Sequence, residues 1–254
     1  MAAAQRVSTI FRTEQLSKHF GALRAVDAVD YAVQEGAIHA IIGPNGAGKT
    51  TFFNMLTGNF RPTSGRISFR DEDITGLPPH VITRKGIGRS FQISNIFGGL
   101  TVYENVRVAV QATYGDAMGI LVRPKWLSEV DDKAEAILER VGLSKFAAAQ
   151  AATLSHGDEK RLEIGLVLAA HPALLLFDEP TAGMSPEESR QTIELLRELS
   201  TQHTIVLIEH DMDLVMTLCN PIMVMQNGKK IAEGTPADIR ANALVRQAYL
   251  GTEA

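Results

Sequence analysis

Nine consecutive residues, Gly43-Pro44-Asn45-Gly46-Ala47-Gly48-Lys49-Thr50-Thr51, have the types and spacing needed to hold a polyphosphate. They fit G-x-x-x-x-G-K-[ST] and follow the apolar run Ala37-Ile38-His39-Ala40-Ile41-Ile42, so a buried strand feeds a glycine-rich turn that opens a helix. Glycines let successive backbone N–H groups curl around an anion without Cβ clashes, and the helix N-terminus adds partial positive charge. The candidate cradle is Gly43, Asn45, Gly46, Gly48, Lys49, Thr50 and Thr51. Within it Lys49 would reach the β- and γ-phosphates, and the Thr50 hydroxyl would take a Mg²⁺ position. A second group of chemistry-bearing residues, Asp178-Glu179, directly follows the apolar run Ala173–Phe177. Open α/β sheets place their functional groups at such carboxyl ends of strands. Asp178 would hold Mg²⁺, directly or through water, and Glu179 would polarise an attacking water. An acidic pair at a strand end, taken alone, reads equally well as an exposed structural pair; the phosphate loop in the same chain gives it meaning.

The elements that must position these residues can be read from pattern. Short strands are expected at Thr9–Leu16, Ala25–Val33, Ala37–Ile42 and Arg66–Phe69, with a helix continuing from the loop through Thr51–Leu56. From about Thr101 the character changes. Thr101-Val102-Tyr103-Glu104 has the S/T-x-x-E form of a helix start, and Ser128-Glu129-Val130-Asp131 offers a second. Val130, Ala134, Ile137, Leu138 and Val141 fall at helical spacing, whereas Tyr114–Pro124 is rich in Gly and has no clear period. After Thr153 helices and strands alternate again. Ala173–Phe177 and Thr204–Ile208 are continuous apolar runs, as expected of parallel strands covered on both faces. Ser185-Pro186-Glu187-Glu188 starts the helix between them, with Pro at its first position. Asn227-Gly228 between Ile222–Gln226 and Lys229–Glu233 predicts a type I′ hairpin, and Thr235-Pro236-Ala237-Asp238 caps a last helix. These patterns predict a mainly parallel α/β core with a helical insertion.

The whole chain bounds the function. Its 254 residues suffice for one large domain or a core with a subdomain, and 45% hydrophobic with 21% charged residues describes an ordinary globular protein. A net charge of -4 argues against a general nucleic-acid binder. Cys219 is the only cysteine, which excludes an intrachain disulfide and argues against a thiolate metal cluster. The first residues, Met1–Arg6, lack the basic start and apolar core of a secretion signal. The longest apolar stretch, around Leu166–Phe177, is interrupted by His171-Pro172 and is too short to span a bilayer. A cytoplasmic protein is expected, reaching a membrane only through a partner.

Between the loop and the acidic pair lies Leu154-Ser155-His156-Gly157-Asp158, just ahead of Glu159-Lys160-Arg161-Leu162-Glu163. With it the chain resembles the nucleotide-binding subunit of an ATP-binding cassette (ABC) transporter, whose signature is usually L-S-G-G-Q. The resemblance covers nearly the whole chain, with the motifs in the family's order. It implies a P-loop NTPase core built on a mainly parallel sheet, an N-terminal antiparallel β portion and a helical subdomain insertion. The corresponding boundaries are 1–92 and 166–254 for the core and about 93–165 for the helical subdomain. In that family the signature serine and glycine bind the γ-phosphate of ATP held by the opposite subunit, roles that fall to Ser155 and Gly157 by position. His156 replaces the first glycine and Asp158 the glutamine. Ser155-x-x-Asp158 is itself a capping-box pattern, and an acid in the first turn suits the helix dipole, a reading preferred over a direct contact of Asp158 with nucleotide; His156 reads as a tolerated surface residue.

The resemblance also assigns residues that would be weak alone. Phe20 matches the aromatic that stacks on adenine, although a lone Phe is more often core. Gln92, in Arg89-Ser90-Phe91-Gln92, matches the glutamine that contacts Mg²⁺ or the water, and His210 the histidine that touches the γ-phosphate. Ala182-Gly183-Met184-Ser185 stands where the family usually has S-A-L-D. A narrower likeness, carried by Arg161–Gly165, Ala182–Met184, Gly234-Thr235-Pro236, Ala248–Gly251 and the long segment Ala112–Trp126, is to branched-chain amino-acid importers; urea importers and the lipopolysaccharide-export ATPase look similar. What this implies is an ATPase binding ATP and Mg²⁺ at the cytoplasmic face of the inner (plasma) membrane. Its partners would be transmembrane permease subunits, a second ABC ATPase subunit in a homo- or heterodimer and, indirectly, an extracytoplasmic substrate-binding protein, with no nucleic acid. Ile93–Leu100 would meet a permease coupling helix. Two other classes share parts of this pattern: a soluble ABC protein working on ribosomes or DNA, and a phosphate-loop kinase. The first usually carries two cassettes, coiled coils or basic extensions; the second leaves Ser155–Asp158 and His210 unexplained.

Overall fold

Alternation of apolar and polar residues drives the N-terminal part into antiparallel strands, and continuous apolar runs drive the rest into parallel ones. The computed structural model describes residues 8–90, 96–114 and 124–250. It divides into two compact units. The first comprises the described parts of Met1–Ile87, Ala173–Glu179 and Arg197–Ala254; the second those of Gly88–Pro172 and Pro180–Leu196.

The first unit opens with a hairpin of β1 (Thr9–Phe20) and β2 (Leu23–Gln34), twelve residues each. Both strands run beyond the expected spans, because Gly21 takes a positive φ of 60° and turns the chain within two residues. Irregular register accommodates Gln15 and Ala28, both at positive φ. Asp30 accepts from the Gln15 amide and side chain, and Ser17 Oγ accepts from the Ala28 amide, so each bulge has a polar support. With β4 (Ser64–Phe69) and β5 (Glu72–Asp73) these strands form an antiparallel sheet in the order β2-β1-β4-β5.

The second sheet uses β3 (Ile38–Ile42), β6 (Ile87–Arg89), β7 (Leu174–Asp178), β8 (Thr204–Ile208), β9 (Ile222–Gln226) and β10 (Lys229–Gly234), in the order β10-β9-β3-β8-β7-β6. Strands β7, β8, β3 and β9 are parallel, while β10 folds back antiparallel through Asn227 (φ 49°) and Gly228 (φ 78°), the expected I′ geometry. Every residue of β3, β7 and β8 is buried. Helix α1 (Lys49–Leu56) contributes Phe52, Phe53, Met55 and Leu56 to a core that also takes Phe11, Tyr31 and Ile67 from the antiparallel sheet and Ile41, Leu176 and Val206 from the parallel one. This packing fixes the helix that the phosphate loop opens. The remaining helices of this unit are α2 (Pro79–Arg84), α7 (Met212–Leu218), α8 (Pro236–Ala241) and α9 (Ala243–Leu250); α8 has the expected Thr235–Asp238 capping box. No helix among the described residues is long and apolar enough to cross a membrane.

The second unit is helical. Helix α3 (Val102–Ala112) starts at the expected capping box, in which Thr101 Oγ1 accepts from the Glu104 amide and Glu104 accepts from the Thr101 amide. Helix α4 (Pro124–Arg140) corrects one expectation: Ser128 lies inside it rather than at its start. Trp126 and Leu127 stand four and three positions ahead of Val130, helical spacing that already sets Ser128 within the helix. Val130, Ala134, Ile137, Leu138 and Val141 are all buried, as their spacing predicted. They pack with α3 and with α5 (His156–Leu168), whose Gly165 would place a Cβ 3.3 Å from the Ile137 methyl. Helix α6 (Pro186–Leu199) begins in this unit and ends in the first.

His39 on β3 is fully buried, edge-on to Tyr31 at 6.1 Å. Its Nε2 accepts from the Gln34 amide at 3.0 Å, and its Nδ1 has no partner. Burial lowers its pKa from 6.5 to about 4. The unfolded chain takes up a proton near pH 6.5 that the folded chain refuses until about pH 4. Stability from the neutral ring is therefore present above pH 6.5 and lost as pH falls toward 4, by roughly 3 kcal/mol at most. Urea midpoints between pH 4.5 and 7 should fall on acidification in the wild type and fall less in His39→Gln; equal slopes would assign the acid sensitivity elsewhere.

Candidate functional site

Gly43 leaves β3 with φ 152°, and a Cβ there would lie 2.2 Å from the Met225 carbonyl oxygen on β9. Gly48 sits at φ 97° with its Cβ position 2.3 Å from the Ala25 carbonyl oxygen on β2. The loop between them therefore passes against two strands at distances that only glycine allows. The hairpin turn closes the third side: the Gly228 amide donates to the Ala47 carbonyl and the Asp27 amide to the Gly228 carbonyl. Gly48 is the N-cap of α1, no side chain caps it, and its first turn carries no acidic residue. The first-turn amides and the positive end of the helix dipole are thus directed to an external anion.

These walls line a cleft of about 510 Å³ containing Leu23, Arg24, Ala25, Asn45, Gly46, Ala47, Gly48, Lys49, Thr50, Thr51, Glu179, Asn227 and Gly228. That volume suits a nucleotide-sized ligand. Lys49 Nζ donates to the Gly43 carbonyl at 2.6 Å and to that of Pro44 at 3.1 Å. Partial burial lowers its pKa, against the opposing charges of Glu179 and Asp178. The lysine and the acidic pair therefore share one electrostatic environment. Asp178 ends β7 in register with Ile208 and is buried. Glu179 follows at φ 50°, an uncommon conformation for a non-glycine residue, held by its amide's bond to the Ile208 carbonyl. This backbone turn directs the half-exposed carboxylate to the cleft, where Oε1 lies 3.5 Å from His210 Nδ1. His210 is exposed, and the Glu209 carboxylate accepts from its amide at 3.1 Å.

In the helical unit Ser155 is the N-cap of α5, its Oγ accepting from the Asp158 amide at 3.2 Å. Only this half of the expected capping box forms. The Asp158 carboxylate turns away to pair with Arg161 instead. His156 is exposed, as expected, but its Nε2 lies 3.1 Å from the Ala182 carbonyl and so joins the signature turn to the Ala182–Ser185 loop.

A profile described as ABC transporter matches residues 26–182. The chain belongs to the ABC transporter family. A second profile, branched-chain amino acid ATP-binding cassette transporter, matches residues 229–254 of this ABC protein. It is 45% identical over 243 residues to the high-affinity branched-chain amino acid transport ATP-binding protein LivG of Salmonella typhimurium, covering 93% of this chain and 95% of that one. BraF of Pseudomonas aeruginosa, named for the same transport, is 41% identical over 249 residues, covering 95% and 98%. Among solved structures, the ADP conformation of an ATP-binding cassette of an ABC transporter superposes with a TM-score of 0.84 at 31% identity, covering 96% of this chain and 99% of that one. The expected α/β ABC ATPase fold is therefore the fold of this protein.

The structure of this ABC protein gathers the loop residues, Asp178, Glu179 and His210 in the first unit, and places Ser155 and Gly157 in the second. Gln92 lies outside the described residues, as do Ile93–Asn95. Phe20 is at the end of β1, 45% exposed and edge-on to Phe60 at 5.6 Å, with Lys18 Nζ 5.1 Å from its ring; the cleft lining begins three residues later, at Leu23. Leu23, Arg24, Ala25, Asn227 and Gly228 escaped sequence reasoning. Asn227-Gly228 signalled a turn, but its place beside the loop is a tertiary fact with no local signal. The close contact at Gly48 yields a direct test. Alanine at 48 adds a backbone clash to the cost of positive φ, about 1–3 kcal/mol or roughly 5- to 150-fold in affinity. Alanine at 46, with φ 76° and nothing within 4 Å, meets only the φ cost. Titration with a fluorescent ATP analogue should therefore show Gly48→Ala weakened well beyond Gly46→Ala. Equal losses would show that the Ala25 contact does not set the loop's path.

Proposed function

We propose that this ABC protein is the ATP-hydrolysing subunit that powers a membrane importer of branched-chain or related amino acids, working as a dimer that sandwiches ATP. The observation that carries the ATPase reading is the shared environment of Lys49, Asp178 and Glu179 beside an uncapped helix N-terminus. The amides of Gly46, Gly48 and Lys49 would cradle the phosphates, with Asn45 and Thr51 completing the loop, and Lys49 would neutralise the β- and γ-phosphates. Oxygen donors from Thr50 and Asp178 fit Mg²⁺, which binds through few protein ligands plus substrate phosphates. Glu179 would accept a proton from the attacking water, with His210 beside it to contact the γ-phosphate and Gln92 to contact the metal or the water. Phe20 would lie against adenine, and Ser155 and Gly157 would bind the γ-phosphate on the partner subunit.

Support for the substrate class is the transport named for LivG and BraF at 45% and 41% identity. The remaining partners are transmembrane permease subunits, which place the protein at the cytoplasmic face of the membrane, and a substrate-binding protein reached through them. Segment 96–100 supports a permease contact: Phe97 is 59% exposed, while Asn105 fixes its backbone by accepting from the Phe97 amide and donating to its carbonyl. We assign 1–92 and 166–254 to the nucleotide-binding core and about 93–165 to the helical subdomain. The test is Glu179→Gln, which should lower turnover by about 10²–10⁴-fold while leaving ATP binding intact. Unchanged hydrolysis would remove Glu179 from the mechanism. Affinity capture of that variant with ATP and Mg²⁺ should bring down multi-span permeases, whereas ribosomal or DNA-bound partners alone would overturn the transport reading.

A further inference from the structure

The turn carrying Ser155 and Gly157 already holds an anion, and the anion belongs to the same chain. Glu188, in the first turn of α6, aims its carboxylate across at the start of α5. Oε1 accepts from Ser155 Oγ at 3.2 Å and from the Gly157 amide at 3.2 Å. Oε2 accepts from the Ser185 amide at 3.0 Å and from Ser185 Oγ at 2.8 Å. Four donors on one carboxylate saturate it much as they would a phosphoryl group. Gly157 is what permits the approach: a Cβ there would lie 2.6 Å from Glu188 Oε1 and 2.7 Å from its carboxyl carbon. All four residues lie in the helical unit. The loop that delivers Glu188 is held too, by the His156 contact with the Ala182 carbonyl.

We propose that Glu188 is an intrachain occupant of the phosphate-accepting turn at Ser155 and Gly157, competing with the γ-phosphate that the partner subunit presents. The inference rests on the ATP-sandwich reading above. Two anions cannot share one hydroxyl and one amide, so closure of the dimer requires the carboxylate to swing off. The ATP concentration at which two subunits pair is therefore set partly by Glu188. Its hydrogen bonds to Ser185, Ser155 and Gly157 hold its pKa down at about 2, so the competitor stays charged at every physiological pH. When displaced, the side chain still has Ser185, which caps α6 and accepts from the Glu188 amide at 3.3 Å. The loop serine thus gives the carboxylate a second resting place.

The experiment is an inorganic-phosphate titration of the ¹⁵N-labelled full chain, following the Gly157 and Gly48 amides in wild type, Glu188→Gln and Glu188→Ala. Gln at this position keeps one acceptor oxygen for the cap of α6, while the NH₂ that replaces the other oxygen cannot accept from Ser155 or Gly157 and the charge is gone. The Gly157 amide should respond at several-fold lower phosphate in both variants, while the Gly48 amide responds alike in all three proteins. An identical Gly157 response in all three, or none in any, would overturn the proposal. In a Glu179→Gln background, both Glu188 variants should also lower the ATP midpoint for dimer formation in sedimentation runs; an unchanged or raised midpoint counts against it. Failure of the sandwich reading looks different: no ATP-dependent dimer forms in any version, whatever Gly157 does with phosphate.

Discussion

The main constraint on this molecule is steric and sits where the backbones of β9 and β2 press on the phosphate loop. The Met225 and Ala25 carbonyl oxygens stand where the Cβ atoms of Gly43 and Gly48 would be. The loop is thus pressed between β9 and β2. Its curvature, the direction of its amides and the starting angle of α1 follow from those two contacts. Helix α1 then buries Phe52 and Phe53 between the two sheets, so the largest side chains of the core are locked to the geometry of the loop. Changing the loop means repacking the centre of the unit, and loosening the centre misdirects the loop.

Much of this was readable before the structure because it is local. The phosphate loop, the acidic pair at the end of β7, the capping boxes at Thr101 and Thr235 and the I′ turn at Asn227-Gly228 are each written within a few residues, and each backbone took its expected form. Continuous apolar runs marked β3, β7 and β8 because both faces are covered. The misses are equally physical. The long β1–β2 hairpin hides two bulges at Gln15 and Ala28 that break the alternation a strand is recognised by. At α4 the S-x-x-D pattern at Ser128 imitates a start, although Trp126 and Leu127 already keep the helical spacing. Asp158 looked like the second half of a capping box, but Arg161, one turn on, offered its carboxylate a charged partner that a backbone amide could not match. Leu23, Arg24 and the Asn227 turn enter the cleft through tertiary packing alone, and Glu188 reaches Gly157 across 31 residues of sequence.

The two anion-directed turns are built on opposite plans. At Gly48 no side chain caps the helix, so its amides are unclaimed by the chain's own acids. At Ser155 the hydroxyl caps its own helix and, with the Gly157 amide, satisfies a carboxylate from α6. The first turn is rigid because backbone atoms enclose it. The second depends on one rotatable side chain, which lets its state change without moving a helix. On the proposed reading, the first turn serves each subunit alone and the second serves only a pair of subunits, and the two designs match those separate demands.

The hairpin turn that grips both the loop and β2 has a consequence for how the protein is made. The Gly228 amide and carbonyl complete the support of a loop that begins at Gly43, and Met225 forms its back wall. During synthesis the loop and the Ala25 strand leave the ribosome early, yet Met225 and Gly228, which close the loop's other sides, follow about 180 positions later. A nascent chain therefore carries the loop with only part of the surface that bends it. The loop's support is complete only in the finished first unit, and a cassette truncated before β9 lacks both the Met225 wall and the Gly228 hydrogen bonds.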